Sequence, residues 1–148
     1  MTRRLPSISD LVPHRGRSIF VEAVVELRAD GLECRARIPP EHALARNGFA
    51  PTFVGLEAAA QAAAAWEALR VAQDESRRTP PRVGYLVKVG NVRAATPMLP
   101  VDTPLTVAIE ADGGAGTLSL YRVRVALRGE AVLDGTIGTY VRGSGAPP

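Results

Sequence analysis

The spacing of apolar and polar positions changes twice along the chain and divides it into three stretches. From residue 18 to 28 they alternate, with Ile19, Val21, Ala23, Val25 and Leu27 on one face and Glu22, Glu26 and Arg28 on the other. Asp30-Gly31 is a hairpin turn signal. Beyond it Leu32, Cys34, Ala36 and Ile38 alternate with Glu33, Arg35 and Arg37. This pattern predicts two paired strands, stopped by Pro39-Pro40. Residues 41–52 have loop composition, with Asn47-Gly48 and Pro51. From residue 53 to 73 the period becomes helical, and positions 58–65 are alanine except for Gln61. Pro51 suits the first helical turn and Thr52 can cap it. A helix with so little polar surface is predicted to be buried, and its small side chains let a sheet approach closely.

After a polar stretch at 74–81, alternation returns in Val83, Tyr85, Val87 and Val89. A proline-punctuated crossing at 97–104 leads to Leu105, Val107 and Ile109. A glycine-rich turn at 112–116 precedes Tyr121, Val123, Val125 and Leu127, and a turn at Gly129-Glu130 precedes a last strand over 133–141. Residues 142–148 read as a frayed tail. Two strands, one long helix and four mostly antiparallel strands make an α+β fold, in which a curved antiparallel sheet wraps the helix. At 148 residues the chain is expected to form a single domain over 1–148, with its core at about 5–141.

Composition removes several function classes. The net charge is +3, and every basic residue except Lys88 is arginine, dispersed with no run longer than a pair. That distribution fits solvated surface charge rather than nucleic-acid binding. The longest uninterrupted apolar run, residues 62–66, is far short of the ~20 residues that span a membrane. No apolar segment follows the basic N-terminus, so no secretory signal is expected. The single cysteine, Cys34, closes no internal disulfide, and a cytoplasmic setting is the default expectation. No phosphate loop, dinucleotide fingerprint or nucleophile elbow is present, and two histidines with one cysteine lack zinc-ligand spacing. No cofactor or metal is expected. Cys34 reads as a core residue and His14 as a turn element. What remains is acid–base chemistry.

Glu57 is the odd residue of the alanine-rich helix, with Gln61 four positions later on the same face. A carboxylate in apolar surroundings is costly, and burial there would raise its pKa and hold a proton ready for donation. Gln61 is positioned to orient it. His42 stands in the loop that feeds the helix and is the candidate base.

These residues carry a resemblance. Leu11 to Arg15 before a strand, and Ala50-Pro51-Thr52-Phe53-Val54-Gly55-Leu56-Glu57-Ala58-Ala59-Ala60-Gln61 opening the helix, resemble the hotdog-fold 3-hydroxyacyl-[acyl-carrier-protein] dehydratases. Among these the chain is most similar to the dehydratase-like proteins of aryl-polyene pathways. The family's helix opens with Pro-Gly, then five positions to an acid, then Ala-x-x-Gln; Glu57 and Gln61 fall on this pattern, while Thr52 replaces the glycine. Arg82 to Leu86, followed by Pro97, Pro100, Asp102 and Leu105, is similar to the family's tunnel strand and crossover. The family's histidine stands in Gly-His-Phe-Pro, fourteen residues before the acid. Here His42 stands in Glu41-His42-Ala43, fifteen residues before Glu57.

The resemblance implies elimination of water from a 3-hydroxyacyl thioester on a phosphopantetheine arm, without further cofactor. His42 would take the α-proton, Glu57 would protonate the departing hydroxyl, and the Thr52 N–H would stabilise the thioester oxygen. Gln61, Phe53, Tyr85 and Leu86 would line the substrate site. It also implies a homodimer or hotdog heterodimer whose sites combine a histidine from one subunit with an acid from the other, and an acyl carrier protein as partner. Two other readings stay open: a non-catalytic acyl-binding subunit paired with a catalytic hotdog chain, and a hotdog acyl thioesterase in which Glu57 activates water.

Overall fold

The computed structural model describes residues 7–11, 19–73 and 84–141. A short helix α1 (Ile8–Leu11) precedes the hairpin of β1 (Val21–Arg28) and β2 (Gly31–Ala36). A loop leads to β3 (Phe49–Pro51), a 3-10 turn (Thr52–Val54) and the long helix α2 (Gly55–Gln73). Then follow β4 (Gly84–Ala94), β5 (Met98–Pro100), β6 (Leu105–Ala115), β7 (Leu118–Leu127) and β8 (Glu130–Val141). Six strands form one antiparallel sheet in the order β1-β2-β6-β7-β8-β4, and β3 pairs with β5 in a separate two-stranded ribbon. One long helix on one large antiparallel sheet is the predicted α+β arrangement. No helix among the described residues is long and apolar enough to cross a membrane.

The core is the apolar face of the sheet pressed on α2. Leu32, Cys34, Ala36 and Ile38 from the β2 side meet Leu105, Val107 and Ile109 of β6, with Tyr121, Val123 and Val125 of β7 and Leu133 and Ile137 of β8 beyond. The helix contributes Ala58, Ala59, Ala62, Ala63, Ala65, Trp66 and Leu69. Its close approach follows from small side chains. A Cβ added at Gly55 would stand 3.2 Å from Leu133 and 3.4 Å from Val125, so even the first residue of α2 is fitted to the sheet. Farther along, Trp66 packs edge-on to Tyr121, and the Tyr121 hydroxyl donates to Glu67 at 2.5 Å.

The structure differs from the sequence reading at several points, one being that the expected loop at 41–52 and crossing at 97–104 contribute the paired strands β3 and β5. In β1, register shifts between Val21 and Ala23 and between Val24 and Glu26 break the strict alternation. Val24 and Leu27 therefore pack on the core while Val25 is exposed. The first hairpin turns at Ala29-Asp30, and Gly31 already belongs to β2. Glycine is required there by the neighbouring strand, since a Cβ would lie 1.9 Å from the Ile109 carbonyl oxygen. The glycine-rich segment expected as a turn over 112–116 lies mostly inside β6, with an irregularity between Ala111 and Gly114, and the chain reverses at Gly116-Thr117. His14, the stretch 74–81, Val83 and the tail lie outside the described residues.

Candidate active site

Tight turns set the loop before α2. The His42 N–H donates to the Pro39 carbonyl and the His42 carbonyl accepts from Ala45 N–H. Asn47 and Gly48, both at positive φ, reverse the chain so that Arg46 and Phe49 exchange backbone hydrogen bonds. The returning segment becomes β3, which carries the chain into the 3-10 turn and α2. This path places His42 beside the first turn of the helix, with its Nε2 3.7 Å from Glu57 Oε2. The two candidates thus meet within one chain. The 39–48 loop folds back over its own helix, which brings them together without a second subunit.

Three contacts hold the imidazole. Its side chain is 14% exposed. The Phe20 ring packs edge-on against it at 5.6 Å between centroids. The Leu44 N–H donates to Nδ1 at 3.1 Å, which leaves Nε2 as the nitrogen facing Glu57.

Glu57 is not in the buried setting anticipated for it, since its side chain is 56% exposed. The sheet covers the helix stripe through Ala58, Ala59, Ala62 and Leu69, while Phe53, Glu57, Ala60 and Ala64 occupy the flank that the chain itself leaves open or half-open. Phe53 is accordingly 57% exposed, and Leu86, on the edge strand β4, is 41% exposed. Tyr85 pairs with Tyr140 through its backbone, and its side chain lies outside the described residues.

Gln61 is the reverse case. It is fully buried, and its Oε1 accepts from the N–H groups of Phe20 at 2.8 Å and Val21 at 3.2 Å. These bonds fix the start of β1, and hence the Phe20 ring, relative to the helix. Thr52 is also buried, and its role differs from the one anticipated. Its N–H donates to the Pro97 carbonyl at 3.0 Å and its hydroxyl to the Thr96 carbonyl at 2.5 Å. That amide, engaged by the crossover segment, is not presented to a thioester oxygen.

Phe20 and Leu44 escaped the sequence reading. Alternation sets Phe20 beside the polar Glu22, yet it is 2% exposed, and Leu44 acts through its backbone, which leaves no trace in residue type. Among the described residues no cluster of histidine, cysteine, aspartate or glutamate could hold a metal ion. The arrangement offers a carboxylate and a fixed imidazole at the head of a helix, an assembly suited to moving protons.

Solved structures with the same architecture are numerous. One chain of the dehydratase heterocomplex ApeI:P from Xenorhabdus doucetiae superposes with a TM-score of 0.82 at 17% identity, over 95% of this chain and 94% of that one. An HP0420 homologue from Helicobacter felis gives 0.65 at 14% identity, covering 96% and 93%. A hypothetical thioesterase with coenzyme A from Streptococcus pneumoniae gives 0.57 at 15% identity, covering 82% and 85%. At these identities the likeness speaks for the fold, and the fold is hotdog. No curated protein matches the sequence. The family model described as ApeP dehydratase matches residues 6–144, nearly the whole length, and the chain therefore belongs to the ApeP-like family of dehydratases.

Proposed function

We propose that this chain is a hydro-lyase that removes water from a 3-hydroxyacyl thioester delivered on the phosphopantetheine arm of an acyl carrier protein in the cytoplasm. The observation that carries the reading is the juxtaposition of His42 Nε2 and Glu57 Oε2, 3.7 Å apart at the head of α2, in a chain of a dehydratase family. Elimination needs one proton taken from C2 and one delivered to the C3 hydroxyl, and a carboxylate with an imidazole beside it supplies groups suited to that need. We further propose that a second hotdog chain, identical or not, covers the flank bearing Phe53, Glu57 and Ala60. This would desolvate the carboxylate and supply the missing wall.

The test uses the purified full chain, alone and with a hotdog partner, on a 3-hydroxyacyl and a saturated acyl thioester. Enoyl-thioester absorbance and free thiol are followed together. Enoyl formation without thiol release is the expected result. Thiol release would establish the thioesterase reading instead, and an inert chain whose complex dehydrates equally well with Glu57→Ala in place of the wild type would establish a non-catalytic subunit. Glu57→Ala should lower turnover by at least about 10²-fold, the lower end of what a general acid–base group contributes.

A further inference from the structure

The protonation pattern of His42 follows from its neighbours. The Leu44 N–H has a single hydrogen and aims it at Nδ1 across 3.1 Å. A nitrogen that accepts such a bond carries its lone pair in the ring plane and no proton of its own. In a neutral imidazole the other nitrogen then bears the hydrogen, so Nε2 faces Glu57 Oε2 as N–H and not as a lone pair. Turning the ring into the opposite tautomer would set two N–H groups against each other at Nδ1. The Phe20 ring, anchored by the bonds that the Phe20 and Val21 N–H groups donate to Gln61, opposes any swing of the imidazole away from Leu44.

Resting on the dehydration reading above, we infer that Glu57 carries out both proton steps and that His42 is a positioning residue that donates from Nε2 to the Glu57 carboxylate. The step balances without a second base. Glu57 takes the C2 proton, and the C2–H electron pair becomes the C2=C3 double bond as the C3–O bond breaks. The protonated Glu57 then gives that same proton to the departing hydroxyl, which leaves as water. The carboxylate is restored and His42 keeps its Nε2 hydrogen throughout. A neutral imidazole is a poor proton donor to hydroxide but a good hydrogen-bond donor, so holding one carboxylate oxygen while the other works suits it. The distance of 3.7 Å is loose for such a bond, as is common before substrate closes a site.

Side-chain amides separate the two roles, because a glutamine amide nitrogen reaches about where Nε2 stands and an asparagine amide about where Nδ1 stands. Turnover of a 3-hydroxyacyl pantetheine thioester is compared for the wild type, H42Q, H42N and H42A. In parallel, the ring nitrogens are observed by NMR on histidine-labelled protein at alkaline pH, where imidazoles are neutral, with H42Q identifying the His42 signals. H42Q is expected to stay within about tenfold of the wild type, H42N and H42A to fall by about 10²-fold or more, and the His42 proton to reside on Nε2. An active wild type whose H42Q is as inert as H42A, or whose ring carries its proton on Nδ1, overturns this inference and leaves the dehydration reading standing. A wild type that releases no water from the thioester, alone or with its partner, overturns both.

Discussion

Individual side chains here are set by their immediate shell more than by their type. Cys34 is the clearest case. Its thiol is wholly buried, and burial, reinforced by Glu33, pushes its pKa up to about 12. The thiolate is the reactive form, so Cys34 should resist thiol-specific chromogenic reagents near neutral pH in the folded protein and react promptly once urea unfolds it. Tyr121 is buried with its hydroxyl on Glu67, and burial first and that hydrogen bond second hold its pKa above the ordinary tyrosine value of 10.0. Tyr121→Phe should cost about 1–2 kcal/mol near neutral pH, read from the urea midpoint. The folded state holds the phenolic proton more tightly than the unfolded one. The stability it confers is therefore complete below about pH 10 and is lost as pH rises beyond it. The same Tyr121→Phe variant should show a smaller alkaline loss.

At the scale of elements, the fold depends on how closely strands and helix approach one another. Gly31→Ala places a methyl group on the Ile109 carbonyl of the adjoining strand, and β2 is central between β1 and β6. Relief requires spreading the β2–β6 ladder, so the substitution should cost about 3 kcal/mol, the upper end of overpacking, measured by thermal or denaturant unfolding. Gly48→Ala tests the opposite situation. Nothing lies within 4 Å of an added Cβ, but φ is +82°, so a smaller loss of about 1 kcal/mol is expected from backbone strain alone. That loss would fall on the loop that carries His42.

The sheet ends in β1 on one side and in the longer β4 on the other. Among the described residues strand β4 pairs only with β8, and Leu86, Val87, Val89 and Val92 are exposed along it. Eleven residues of unpaired edge with apolar side chains are an aggregation hazard unless another chain covers them. The proposed hotdog partner does this by continuing the sheet. Replacing Val87 and Val89 together by glutamate should shift sedimentation from dimer to monomer and lower dehydration with it, since Glu57 would stay solvent-open. If the double variant remains dimeric, the partner lies elsewhere.

The hydrophobic pattern by itself determined the main strands along the chain, the buried helix and the core face, because a period of two or 3.6 residues is a local property that burial must respect. The alternation of Leu32, Cys34, Ala36 and Ile38, and of Leu105, Val107 and Ile109, was readable for that reason, and so was the place of Glu57 in the first turn of the helix. Register and partnership were not local. The bulges that flip β1, the β3–β5 ribbon and the Ile109 oxygen that demands Gly31 depend on residues distant in the chain. So do the capture of the Thr52 amide by Pro97 and the exposure of Glu57. Which nitrogen of His42 bears its proton belongs to the same class, because one backbone hydrogen delivered by a folded loop decides it. Residue types state which groups are present, and the tertiary structure alone decides which of them are still free to act.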